Sequence, residues 1–236
     1  MAFAQINGAK LAWQQLGESG PDVVLVHGLA TNRAFWFPHA AALQDRYRVT
    51  LFDLRGHGYS ERPASGYRVT DLAADILGLM DHIGIQRAAL IGHSYGAAAA
   101  LEAAGMAPGR ISHLGLLDAR VSVLQPQMRI GDVSFRSPFE AEVERQPGID
   151  WNTETQVGFK FLEVAARMRI AGREPEARDD FPPFGEGKGA LRAARHWIDL
   201  LENTAAHTEL HEPGMPASQV AGLKMPALLM YAQRSR

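Results

Sequence analysis

A serine stands at the centre of the run Gly92-His93-Ser94-Tyr95-Gly96. A serine hydroxyl becomes a strong nucleophile when a nearby base removes its proton, so this residue could carry acyl-transfer chemistry. An apolar run at 88–91 precedes the motif, and an alanine-rich run at 97–104 follows it. A strand, a tight turn and a helix in this order predict that Ser94 is the nucleophile. The alternative is a serine that caps the helix.

The two flanking glycines have a steric reason in such a turn. The nucleophile occupies a strained backbone conformation, and a side chain at position 92 or 96 would collide with neighbouring backbone. The N-terminus of the following helix offers unpaired N–H groups and the positive end of the helix dipole. Both features favour the negatively charged oxygen that develops when a carbonyl group is attacked.

Short apolar runs and helical patterns alternate along the first half of the chain. Predicted strands lie at 23–26, 48–52, 88–91 and 111–117. A helix is predicted at 69–83, where apolar residues recur on one helical face. The turn Asn7-Gly8 predicts a hairpin between 3–7 and 10–16. This alternation predicts an α/β fold with a mostly parallel central sheet and helices on both faces.

The strand pattern stops near residue 119 and returns only at 227–231. The segment between contains most of the prolines, helical stretches such as 190–206 and many aromatic residues. We predict a core formed by 1–118 and 223–236, with a helical cap inserted at 119–222. The apolar residues of the cap either pack a core of their own or line a pocket as a lid.

Two further segments form a set with the serine motif. Residues 23–28 read VVLVHG, and residues 52–60 read FDLRGHGYS. Together with the position of the insertion, these motifs resemble the α/β-hydrolase fold superfamily over nearly the whole chain. The resemblance implies a capped serine hydrolase with Ser94 as its nucleophile. It also implies that the backbone N–H groups of Leu29 and Tyr95 form the oxyanion hole.

The resemblance leaves two places for the catalytic acid. Most members carry it after the seventh strand, where this chain has Ser235, and neither Asp nor Glu occurs after Glu212. Some members place it after the sixth strand, where this chain has Asp118. We predict that Asp118 is the acid, because a carboxylate there would lie beside the strand of the nucleophile. The alternative is that Asp118 caps a helix or pairs with Arg120.

The histidine base of the family follows an eighth strand, and the sequence ends before such a strand. His93 adjoins Ser94 and is expected to point away from its hydroxyl. We therefore expect the base beyond Arg236, within about 30 to 50 further residues of the same chain or of a companion fragment. His207 and His211 have Glu209 nearby but lack the spacing of a zinc motif, so we predict an exposed helical face and no metal.

Composition limits the classes of function. The formal net charge is −2, from 24 basic and 26 acidic residues, which argues against a nucleic-acid partner. The absence of cysteine excludes disulfides and thiolate metal sites. The N-terminus has no secretory pattern and no run reaches about 18 apolar residues, so we expect no membrane span and a cytoplasmic location.

The expected reaction is hydrolysis of a carboxylic ester or thioester of an apolar or aromatic small molecule, through an acyl-enzyme on Ser94 and without a cofactor. One alternative is carbon–carbon bond hydrolysis or cofactor-free perhydrolysis on the same triad, and another is ligand binding without catalysis. Serine rather than aspartate at position 94 argues against epoxide-hydrolase and haloalkane-dehalogenase chemistry. The expected partners are the small-molecule substrate and either a companion fragment or a second copy of the chain.

Overall fold

The computed structural model describes residues 1–119, 137–173 and 183–231. Contacts among these residues divide the chain into two compact units. The first contains 1–119 with 204–231, and the second contains 137–173 with 183–203. Residues 204–222, which lie in the predicted cap segment, belong to the first unit. The cap itself stays a prediction.

A seven-stranded sheet, in the order β1-β2-β4-β3-β5-β6-β7, forms the frame of the first unit within the described residues. The strands are β1 (Ala2–Ile6), β2 (Ala9–Leu16), β3 (Asp22–Val26), β4 (Arg48–Phe52), β5 (Ala88–His93), β6 (Ile111–Leu117) and β7 (Ala227–Met230). β2 pairs antiparallel with both β1 and β4. The remaining neighbours pair in parallel. The predicted α/β fold with a mostly parallel sheet is therefore confirmed.

Helices connect the strands. They are α1 (Phe37–Leu43), α2 (Val69–His82), α3 (Tyr95–Met106), α4 (Pro138–Glu144), α5 (Val157–Ile170), α6 (Gly187–Asn203), α7 (Ala206–Glu209) and α8 (Ala217–Ala221), with 3₁₀ turns at Arg33–Trp36 and Pro108–Arg110. In the described parts of the chain, no helix combines the length and the apolar character needed to cross a membrane.

Strand β3 shows why the sheet needs cover on both faces. Val24 and Val26 pack in one apolar cluster with residues of α2 and α3. Val23 and Leu25 pack in another cluster with Trp36 and with Ala40 of α1. Successive side chains of a strand point to opposite faces, so a strand covered on both sides is apolar throughout.

The carboxyl ends of β3, β5 and β6 lie side by side because these strands are parallel neighbours. Val26 is paired with Gly92, and His93 is paired with Leu117. The residues that follow these three ends are His27, Ser94 and Asp118. One edge of the sheet therefore brings together the segments that the sequence analysis assigned to the site.

The second unit has an apolar core of its own. One cluster of this core buries Phe139, Val143, Trp151, Val164, Ala165 and Met168. Helix α4 begins with a capping box: the Ser137 hydroxyl accepts the Glu140 N–H at 3.2 Å, and the Ser137 N–H donates to Glu140 Oε2 at 2.8 Å. A separate core of this kind is what an ordinary helical subdomain requires.

Glu209 of α7 corrects one expectation. The exposed helical face predicted around His207 and His211 is present at His207, whereas the Glu209 side chain between them is buried. Its Oε2 accepts the N–H groups of Gly66 and Tyr67 at 2.7 and 2.8 Å, and its Oε1 accepts Arg68 Nη1 at 2.9 Å. A carboxylate tolerates burial when its oxygens are bonded in this way. The partners lie more than 140 residues away along the chain, beyond the reach of a local pattern.

Candidate active site

Ser94 lies between the end of β5 and the start of α3, with φ 52° and ψ −123°. A positive φ is uncommon for a residue with a side chain and costs about 1 to 3 kcal/mol. Hydrogen bonds hold this turn: the Ser94 N–H donates to the Leu117 carbonyl at 2.8 Å, and the Ser94 carbonyl accepts the N–H groups of Ala97 and Ala98 at 3.0 and 3.3 Å. The strained turn that the motif predicts is present, and the role of Ser94 as nucleophile stays a prediction.

The two glycines of the motif lie where a side chain would meet backbone. A Cβ on Gly92 would stand 2.4 Å from the Cα of Ala97. A Cβ on Gly96 would stand 2.2 Å from the carbonyl oxygen of His27. Backbone atoms cannot move aside as a flexible side chain can, so both positions require glycine. Their small size lets the first turn of α3 approach the end of β3.

The loop 27–32 after β3 contains the predicted oxyanion donor Leu29, is called the oxyanion loop below, and lies beside Ser94. A Cβ on Gly28 would stand 3.1 Å from the Cβ of Ser94. Leu29, the residue after Gly28, is half-buried, and Tyr95 begins α3 immediately after Ser94. The N–H of Leu29 belongs to the peptide bond after Gly28, and the N–H of Tyr95 to the peptide bond after Ser94. Both predicted oxyanion donors therefore lie near Ser94, and their role stays a prediction.

His27 fixes the oxyanion loop to Leu54, in the loop that follows β4. Its Nε2 accepts the Leu54 N–H at 3.0 Å, so Nδ1 carries the proton and donates to the Gly28 carbonyl at 2.7 Å. The side chain is fully buried, and burial, with repulsion from His57, lowers the pKa of His27 to about 3. The His27 imidazole is neutral and makes a hydrogen bond through each ring nitrogen, so it holds the oxyanion loop in place.

Asp53 fixes the other end of the same loop. It is fully buried, and its Oδ1 accepts the Arg33 N–H at 2.8 Å, while its Oδ2 accepts the Tyr59 N–H at 2.9 Å and forms an ion pair with the Arg33 guanidinium. The Ser60 hydroxyl donates to the Asp53 carbonyl at 2.5 Å. Asp53 belongs to a motif that the sequence reveals, but its partner Arg33 does not, because 20 positions separate the two.

Asp118 follows the end of β6 with φ 47°, and its N–H donates to the Met230 carbonyl at 2.8 Å. It therefore lies one position beyond the pair formed by Leu117 and His93, at the level of Ser94. Burial lowers the pKa of His93, and the nearby negative charge of Asp118 opposes this shift in part. Arg120 and Ser235 lie outside the described residues, so the role of Asp118 stays a prediction.

The described histidines near this edge have structural contacts. His57 Nδ1 lies 3.0 Å from the Arg55 carbonyl, and the His93 ring stacks on Phe35. The catalytic base stays a prediction, as does its place beyond Arg236. Within the ranges that the structure describes, His, Asp and Glu form no group of three that could hold a metal ion.

The sequence profile of the alpha/beta hydrolase fold matches residues 21–231. The chain belongs to the α/β-hydrolase fold family. The predicted family is therefore confirmed, and with it the general architecture that the motifs indicated.

Known proteins resemble this α/β-hydrolase in part or in overall fold. The acetyltransferase component of the acetoin cleaving system from Pseudomonas putida is 39% identical over 115 residues, which are 48% of this chain and 31% of that protein. A 2-(acetamidomethylene)succinate hydrolase from Mesorhizobium japonicum is 37% identical over 100 residues, or 42% of this chain and 36% of that protein. The matches thus span about a third of these relatives' length.

A solved structure shows the same fold along the chain. The enol-lactonase from Burkholderia xenovorans LB400 superimposes with a TM-score of 0.62, covering 97% of this chain and 80% of that one, at 24% sequence identity. At this identity the likeness concerns the fold alone.

We expect His27 to lower the free energy of unfolding in mild acid. In the unfolded chain the imidazole has its ordinary pKa of 6.5, whereas in the folded protein the pKa is about 3. Between these values the unfolded state binds the proton and the folded state does not. The free energy of unfolding should therefore fall as the pH drops below about 6.5, by up to about 1.4 kcal/mol per pH unit from this residue. Denaturant titrations at several pH values measure this slope.

The matched variants are His27→Asn and His113→Asn, since His113 is exposed. From about pH 6.5 to 5.5, the wild type and His113→Asn should lose stability equally. His27→Asn, although less stable at neutral pH, should lose about 1 kcal/mol less over that unit. Equal losses in all three proteins would show that His27 is not held neutral by the fold.

Proposed function

We propose that this α/β-hydrolase is a serine hydrolase that cleaves a carboxylic ester or thioester of an apolar or aromatic small molecule. The observation that carries the proposal is the backbone of Ser94, at φ 52° between a buried strand and a helix, beside Gly28 of the oxyanion loop. A fold keeps a strained residue of this kind when its exact direction matters to a site.

In the proposed reaction the Ser94 hydroxyl attacks the carbonyl carbon while the histidine base takes its proton. The oxyanion accepts hydrogen bonds from the N–H groups of Leu29 and Tyr95. The base then protonates the departing alcohol or thiol, which leaves Ser94 acylated. Water, deprotonated by the same base, hydrolyses the acyl-enzyme and restores the hydroxyl. The Asp118 carboxylate orients the base and stabilises its charged form.

Two further observations support this proposal. One partly similar relative is a hydrolase by name, over 100 residues of the present chain. His27 and Asp53 hold the oxyanion loop from two sides, which is the rigidity that an oxyanion hole needs to act without reorganisation. The proposed partner is the small-molecule substrate, with no cofactor, and the proposed location is the cytoplasm.

Covalent labelling of Ser94 tests the nucleophile. A fluorophosphonate probe should add one phosphonyl group to Ser94 of the full-length natural protein, because an activated serine displaces fluoride from phosphorus. Peptide mass spectrometry identifies the modified residue. Ser94→Ala should abolish labelling, and Ser218→Ala, at an exposed position of α8, should leave it unchanged. A folded protein that stays unlabelled contradicts the proposed function.

Asp118→Asn tests the acid. The amide keeps the shape of the carboxylate but removes its charge, so kcat for ester hydrolysis should fall about a thousandfold, while the free energy of unfolding changes little. Asp81→Asn is the control, because Asp81 is an exposed carboxylate that pairs with Arg110. This variant should retain full activity. Turnover that is unaffected by Asp118→Asn would reject the assignment.

A panel of p-nitrophenyl esters, acyl thioesters and a vinylogous diketone compares the ester, thioester and carbon–carbon substrates.

A further inference from the structure

Phe35 presents an aromatic ring to the neighbourhood of the nucleophile. It lies in the 3₁₀ turn Arg33–Trp36, which follows the oxyanion loop, and it is 41% exposed. Its ring stacks on the ring of His93, with centroids 4.7 Å apart and planes 23° apart. His93 is the residue immediately before Ser94. The stack therefore joins the turn after β3 to the residue next to the nucleophile.

Gly28 shows how close this stack lies to the reacting hydroxyl. A Cβ placed on Gly28 would be 3.1 Å from His93 Nδ1 and also 3.1 Å from the Cβ of Ser94. The edge of the His93 ring and the nucleophile thus border the same point of the oxyanion loop. Phe35 covers a face of that imidazole. The Phe35 ring also lies nearly parallel to the ring of His39, with centroids 6.4 Å apart, so the site inferred below uses the exposed part of Phe35 that these two imidazoles leave.

The backbone under Phe35 is fixed. The Phe35 N–H donates to the Asn32 carbonyl at 3.1 Å, and the Asn32 side chain accepts the Ala34 N–H at 2.9 Å. Trp36, only 2% exposed, anchors the turn in the core and meets Phe35 edge to face at 5.0 Å. The ring is therefore presented by a rigid support, which lowers the entropic cost of holding a ligand against it.

Exposure alone would not single out this residue, because isolated apolar side chains are common on protein surfaces. Phe37 is also 41% exposed and begins α1 two positions later. The difference is the stack on His93, which Phe35 makes and which places its ring beside the motif of the nucleophile. Burial lowers the pKa of His93, so the supporting imidazole stays neutral and the surface it forms with Phe35 carries no charge.

We infer that Phe35, supported by His93, is a specificity-determining residue that binds a flat aromatic or conjugated group of the substrate next to the scissile carbonyl. Aromatic rings gain from offset or edge-to-face contact with one another beyond the area they bury, and a puckered ring of the same size does not gain this. The preferred substrates are then esters or thioesters of flat, unsaturated groups. The inference rests on the proposed function and narrows its substrate class.

Two fluorophosphonates that differ only in ring shape test this inference. Methyl benzylphosphonofluoridate and methyl cyclohexylmethylphosphonofluoridate each place a six-carbon ring one carbon from phosphorus. The wild-type full-length protein should react faster with the benzyl probe, by about threefold to tenfold in the second-order rate constant. Phe35→Leu should bring this ratio close to one, whereas Phe35→Tyr, which keeps the flat ring, should preserve it.

Phe37→Leu is the matched control, with the same substitution at equal exposure, and should keep the wild-type ratio. Circular dichroism and the unfolding free energy of each variant verify folding. If Ser94 is labelled but the ratio is the same in the wild type and Phe35→Leu, the aromatic site is refuted while the proposed function stands. If neither probe labels Ser94 in the folded protein, the proposed function fails and this inference fails with it.

Discussion

The close approach of three backbone segments around Ser94 is the constraint on which the site depends. Gly92 and Gly96 let the first turn of α3 touch the ends of β5 and β3, because a Cβ at either position would meet backbone within 2.4 Å. Ser94 lies between them and takes up the strain as a positive φ. Its N–H is held by the Leu117 carbonyl of the next strand. The backbone conformation of Ser94, which sets where its side chain starts, is therefore fixed by the neighbouring strand and helix.

Buried polar groups extend this control to the neighbouring loops. His27 joins the oxyanion loop to Leu54 in the loop after β4, and Asp53 of that same loop joins it to the start of the 3₁₀ turn. Farther along, Arg55 makes two hydrogen bonds to Asp75 of α2, at 2.7 and 2.6 Å. A buried charge is tolerated only when it is paired and hydrogen-bonded, so loss of one partner leaves the other at high cost. These loops are consequently rigid, and the turn that carries Phe35 shares this rigidity.

Runs of apolar residues in the sequence predicted the strands whose bounds such runs determine. The apolar runs of β4 and β6 were predicted with their observed bounds, Arg48–Phe52 and Ile111–Leu117. Strand β5 was predicted to end at residue 91 and extends to His93, because Gly92 and His93 pair with Leu116 and Leu117. Pairing with a neighbouring strand is not visible in a glycine-rich run. The serine motif similarly indicated the strained turn, but no sequence pattern indicated the stack of Phe35 on His93, which joins residues 58 positions apart.

The central claim is that the strained Ser94 is aligned with two backbone N–H donors. The most direct test is a crystal structure of the full-length protein after reaction with a fluorophosphonate. We expect the phosphonyl group on Ser94 Oγ, with one phosphoryl oxygen about 2.7 to 3.1 Å from the backbone nitrogens of both Leu29 and Tyr95. An adduct on Ser94 whose phosphoryl oxygen lies away from both nitrogens would contradict the account.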